Sequence, residues 1–205
     1  MADIVSHFRR LSPVRRPLAA TVLALAAMVA SMATASAAVA ADSSGCPDAQ
    51  VAITSASPDQ MRNAVLCLVN LERTERHLPQ LVASDKLDRS AQDWTDSMVG
   101  SDDFSHGSAF MNRISATGFD WTTVGENIAT GYETPEAVVQ AWMRSPGHCA
   151  NILDPAYREV GTGEIARRIP RVSTLVGTWT QDFGRLMDQP ALSGNVGPAD
   201  ACYHH

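Results

Sequence analysis

The sequence predicts an α+β fold, on three observations. Two helix-start signals with proline in the first turn each open an apolar stripe at helical spacing in the first three quarters of the chain. The last third turns to runs rich in β-branched residues, separated by a turn. No internal repeat and no second core interrupts that order. Helices followed by an antiparallel strand pair therefore pack as one domain.

The elements follow in order. Residues 1–40 begin with Arg9, Arg10, Arg15 and Arg16 and continue as an apolar stretch with no charge until Asp42. The stretch ends in small residues, Ala35-Ser36-Ala37 and Ala38-Val39-Ala40. A basic start, an apolar middle and an A-x-A end form the pattern of a secretory signal peptide, cut near Ala37 or Ala40. An uncleaved anchor is the alternative, because ~20 apolar residues suffice to span a bilayer. The alanine-rich, weakly apolar character of the run favours cleavage, which leaves no membrane span. The expected divisions are the signal peptide at 1–40, an N-terminal arm at 41–57, the folded domain at 58–186 and an irregular tail at 187–205.

Ser57-Pro58-Asp59-Gln60 supplies an N-cap, a first-turn proline and a glutamine able to close a capping box. Met61, Val65, Leu68 and Val69 recur at helical spacing behind it. The charged end, with Glu72, Arg73, Glu75 and Arg76, reads as a solvated face of paired charges. A second helix starts near Ser84 with Leu87, Ala91, Trp94 and Met98 on one stripe, and a short one covers Phe110–Ala116. Thr134-Pro135 repeats the start signal, and Pro146-Gly147 reads as the stop. "YREVGTGEIA" and "RVSTLVGTWTQDFG" are the strands, with a turn around residues 167–171. In the second, Trp179, Gln181 and Phe183 face one way and Thr180 and Asp182 the other. Trp94, Trp142 and Trp179 read as core or cleft-wall aromatics.

Charge and cysteines bound the function. Without residues 1–40 the chain loses four arginines and Asp3, and its net charge moves from −6 to −9. That balance argues against non-specific binding to nucleic acid or anionic lipid. Cys46, Cys67, Cys149 and Cys202 all lie in the exported part, and an even number there favours two disulfides. Three pairings are possible and the sequence does not choose among them. The favoured one ties the arm to the first helix through Cys46–Cys67, leaving Cys149–Cys202 to fasten the tail.

Several motifs carry nothing. "GTGEIA" matches a dinucleotide fingerprint but lacks the crossover unit, and reads as a β-turn or bulged strand. "DFG" at 182–184 lacks every other kinase element. Three polar residues in turn-like contexts remain: His106 in "FSH", Glu126 in "GENI" and His148 in "PGH". Two imidazoles and a carboxylate suit a divalent cation such as zinc or magnesium, with an open fourth position. On spacing alone, solvated loop residues are the alternative, since no two of them share a helix or hairpin. A His148–Cys149 nucleophile pair is disfavoured, because neighbouring side chains diverge and an exported thiol is oxidised.

"LVNLER", "FSH", "GENIATG", "AWMRSPGHCANIL" and "WTQDFG" occur in that order over roughly residues 60–184. The set resembles the SCP domain of the CAP superfamily, which includes cysteine-rich secretory proteins, venom allergens and plant pathogenesis-related proteins. It is most similar to the short bacterial branch. The resemblance implies a three-layer α-β-α sandwich and a cleft with two histidines and two acids that can hold a divalent cation. His106, Glu126 and His148 match three of the four. The second glutamate lies three residues after a tryptophan, and counting from Trp142 gives Ser145, a cleft neighbour. A hydroxyl there lowers the negative charge, which weakens both tight cation binding and a paired-carboxylate mechanism. The sterol-binding loop of the animal members has no counterpart here. The expected function is a secreted, monomeric binding module for an extracellular ligand or partner. A metal-dependent hydrolase with Glu126 as base and a structural cell-envelope interaction protein are the rivals.

Overall fold

The computed structural model describes residues 45–191 and Cys202. The segment expected to be a signal peptide and, Cys202 apart, the tail beyond residue 191 lie outside the described residues.

Helix α1 (Pro58–Glu75) starts at the expected capping box. Ser57 Oγ accepts from the Gln60 N–H at 3.3 Å, and Gln60 Oε1 accepts from the Ser57 N–H at 3.0 Å. Met61, Val65, Leu68 and Val69 are buried on its inner face. The helix end departs from the expected solvated face. Glu72 and Arg76 do pair, at 2.7 Å, but Arg73 is fully buried. Its Nε donates to the Pro79 carbonyl at 2.8 Å, and its Nη1 to those of Ile152 and Asp154 at 2.7 and 3.0 Å. The reason is phase: position 73 continues the four-residue row of Val65 and Val69, so the helix turns it inward. Burial, and then the charge of Arg158, hold its pKa down at about 10, with Asp154 opposing.

Among the described residues, four strands form one mixed sheet in the order β1-β3-β4-β2. They are β1 (Val82–Ala83), β2 (Trp121–Thr130), β3 (Glu159–Ile165) and β4 (Thr178–Leu186). β1 runs parallel to β3, and the other pairs are antiparallel. The expected strand pair, β3 and β4, is therefore the centre of a larger sheet. β2 is the main difference. It contains "GENIAT", read above as turn-like, yet residues 125–129 are all buried. A strand covered on both faces has no polar–apolar alternation to betray it.

Helices α2 (Asp85–Ser101) and α3 (Phe110–Ala116) cover one face of the sheet. Helices α1, α4 (Pro135–Arg144) and α5 (Pro146–Ile152) cover the other, giving the three layers. Trp179 and Phe183 join Met61, Val138, Trp142 and Ile152 in the larger core, as the alternation in β4 predicts. Thr180 faces α2 and accepts from Thr95 Oγ1 at 2.8 Å.

The "GTGEIA" glycines have a packing role within β3, and no turn forms there. A Cβ on Gly161 would lie 2.1 Å from the Asp88 nitrogen, and one on Gly163 2.3 Å from the Gln92 nitrogen. Only glycine lets α2 approach this closely. Pro146-Gly147 likewise does not close a helix and leave it closed. Ser145 alone is extended (φ −99°, ψ 117°), and Pro146 occupies the first turn of α5. A proline disfavours helix at the residue before it and fits the first helical position. Both disulfides take the favoured pairing, Cys46–Cys67 and Cys149–Cys202. Loops closed over separations of 21 and 53 residues are worth about 3–4 kcal/mol each in the chain-entropy account.

Candidate functional site

Glu126 stands in β2 opposite Asp182 of β4. Its carboxylate is nearly enclosed and has two partners. Oε1 accepts from His106 Nδ1 at 2.9 Å, and Oε2 accepts from Arg113 Nη2 in a short contact. Because the carboxylate only accepts, His106 carries its proton on Nδ1 and keeps the Nε2 lone pair outward when neutral. The His106 side chain is half exposed.

Arg113, from α3, fixes the loop that carries His106. Its guanidinium lies 3.7 Å above the centre of the Trp94 ring, and its Nη1 donates to the His106 carbonyl at 3.1 Å. Trp94 Nε1 donates to the Ser105 carbonyl at 3.1 Å. Gly107 closes the turn with φ +62°, and a Cβ there would meet Trp94 at 2.8 Å. Stacking and a charge-assisted hydrogen bond thus place the imidazole against Glu126.

His148 is half-buried on α5. With Ser145, Trp142, Ile128, Phe104 and Val172 it lines a cleft of about 250 Å³. Ser145 is therefore a cleft neighbour in space. Its hydroxyl makes no cap to α5. Burial, and then the charge of His106, lower the His148 pKa, which favours the neutral ring. An amide relay ties α5 to β2. Asn127 Nδ2 donates to the His148 carbonyl at 3.2 Å. Asn151 Nδ2 donates to Asn127 Oδ1 at 2.9 Å and to the Glu126 carbonyl at 3.1 Å.

The structure thus brings His106 and Glu126 into direct contact, with His148 and Ser145 on the adjoining cleft wall. Among the described residues, no three His, Cys, Asp or Glu side chains gather as a metal-holding group. Sequence reasoning missed Arg113, Trp94 as its platform, and Asp182. Asp182 is fully buried, and neither carboxylate oxygen makes a hydrogen bond of ordinary geometry. Burial first, then the Glu126 charge, raise its pKa well above the usual carboxylate range, against weaker pulls from Ser90 and Arg113. The only available signal was its place in the alternation of β4, opposite an acid on a strand that was not foreseen.

Residues 66–164 match the CAP family of cysteine-rich secretory proteins, and His106, Glu126 and His148 all fall within the match. The chain carries a CAP domain. Bacterial proteins are among those it is similar to. It is 36% identical over 124 residues to the uncharacterized protein YkwD of Bacillus subtilis (strain 168), covering 58% of this chain and 45% of that one. A solved extracellular protein containing an SCP domain, from Bacillus anthracis str. Ames, aligns with TM-score 0.53 and 26% identity, over 63% of this chain and 44% of that one. A cysteine-rich secretory protein from Staphylococcus aureus aligns with TM-score 0.51 at 17% identity, over 64% and 40%, a likeness of fold alone. This CAP domain thus spans less than half of each of these relatives.

Proposed function

We propose that this CAP domain acts outside the cell as a binding module, with the cleft between β2, α4 and α5 as its working site. The observation that carries the reading is the joining of an apolar cleft to two imidazoles, His148 favoured in its neutral form and His106 oriented by Glu126. His148 lines the wall beside Trp142 and Ile128, and Glu126 aims His106 from behind. Such a site takes a small ligand with an apolar body and a polar end. The signal-like segment at 1–40 and the two disulfides support an extracellular setting.

A divalent cation such as zinc fits the donors in part. His106 Nε2 and the His148 ring would hold it, and Glu126 would serve as the carboxylate behind a ligating histidine. Glu126 as a third ligand fits less well, because Arg113 occupies its second oxygen. The same occupancy weakens the hydrolase reading, since a carboxylate already accepting from His106 and Arg113 is poorly placed to take a proton from water. The cation would supply a Lewis-acid contact to the polar end of a ligand.

Filling the cleft tests the site. An apolar anionic dye, anilinonaphthalene sulfonate, is expected to bind the protein one-to-one with a fluorescence rise. Ala141→Trp, placed on the cleft wall, is expected to cut that affinity at least ~10-fold, the ~1.4 kcal/mol scale of a lost apolar contact. Unchanged dye affinity in a folded Ala141→Trp protein would place binding elsewhere.

A further inference from the structure

The loop between β3 and β4, residues 166–177, combines features found together nowhere else among the described residues. Six of the described large apolar side chains are left more than a third exposed, and among these only Val172 and Leu175, at 53% and 54%, share a loop. The same twelve residues hold Arg167, Arg168 and Arg171 and no acidic residue. The loop is firmly built. Ile169 is fully buried against Met98, Val99 and Ile128. The N–H groups of Val172 and Ser173 both donate to the Ile169 carbonyl, at 2.9 and 3.0 Å, and the Gly177 N–H donates to that of Arg167 at 3.1 Å. Arg171 meets Asp102 at 2.9 Å, but its side chain is 80% exposed, and such a pair is weak.

We infer that this loop seats the domain on an anionic lipid surface. Val172 and Leu175 enter the boundary between headgroups and acyl chains, and Arg167 and Arg168 meet the lipid phosphates. Exposed aliphatic side chains and arginines sharing one short loop are a pattern that rests in a membrane interface. A soluble polyanion would engage the arginines but has no use for the two aliphatic side chains. The negative balance of the whole chain disfavours general adsorption to such a surface, but charges farther than about 8 Å from the loop are screened at physiological salt, so the local arginines decide docking. Val172 also forms part of the cleft wall, so docking brings the cleft mouth to the membrane and its apolar ligands.

Cosedimentation with vesicles tests the inference, using the exported protein. Each variant is compared with a parent of the same N-terminus, so that any contribution from residues 1–40 cancels. Vesicles of phosphatidylglycerol and phosphatidylcholine are expected to bind the protein, and phosphatidylcholine alone far less. Arg167→Gln with Arg168→Gln is expected to lower partitioning ~25-fold, about fivefold per charge. Val172→Ser with Leu175→Ser is expected to lower it ~10-fold while leaving binding to soluble polyphosphate unchanged. All substituted side chains are exposed and Ile169 is kept, so the fold is retained. Equal partitioning of parent and both variants would overturn the inference. So would loss on removing the arginines with no loss on removing Val172 and Leu175, which would mark a polyanion site instead.

Discussion

Replacing Arg73 with alanine is expected to destabilise this domain by about 3–5 kcal/mol, the scale of stranding several buried acceptors and opening a cavity. The guanidinium holds the carbonyls of Pro79, Ile152 and Asp154 together. It thereby pins α1 to the turn after α5 and to the segment leading into β1. Truncation strands three acceptors, each of which costs about 1–3 kcal/mol when left unsatisfied, and opens a cavity as well. Against a total stability of about 5–15 kcal/mol, that is a large share. Arg73→Lys is expected to recover only part of it, because an ammonium cannot span three carbonyls as a planar fork does. Urea midpoints of the three proteins check this. A loss under about 1 kcal/mol for the alanine variant would mean that water replaces the arginine.

The second large effect has the opposite sign. Asp182→Asn is expected to stabilise the domain by about 1–3 kcal/mol near neutral pH, the scale of relieving a buried charge without a compensating partner. The carboxyl is fully buried beside Glu126, and its folded pKa is raised. A raised acid binds its proton more tightly in the folded state. Its contribution is therefore most favourable below the unfolded value of about 3.9, and it is lost as pH rises toward the folded pKa. Asparagine has no such dependence. The gain from Asp182→Asn must therefore shrink as the solution is acidified and vanish below the unfolded carboxyl range. Melting temperatures of both proteins across that pH range check the sign. A gain that does not vary with pH would mean that Asp182 titrates normally.

These two residues also mark how far the sequence could be read. The caps of α1 and α4 were legible, because Ser57-Pro58 and Thr134-Pro135 act through atoms a few residues away. The faces of β4 were legible from alternation alone. Arg73 was hidden by composition, since a charge among charges suggests solvent while the helical phase turned it inward. β2 was hidden because Gly125, Glu126 and Asn127 serve packing and the site at once, leaving no apolar stripe. The three candidate positions, His106, Glu126 and His148, came through the family motifs. Arg113 and Asp182 have no local motif, and they become functional neighbours only when α3, β2 and β4 converge on Glu126. Ser145-Pro146 kept its local meaning as a break, but the same proline that ends one helix is well suited to start the next.

His106 and His148 are proposed to work together at one cleft. Zinc calorimetry on the parent protein, His106→Ala and His148→Ala measures it most directly. One site is expected in the parent and its loss in each variant, with melting temperatures retained. Neutral imidazole is required, so binding should weaken on acidification; because the His148 pKa is lowered, that ring stays neutral below the ordinary histidine value of about 6.5. Zinc affinity unchanged in both variants would contradict the account.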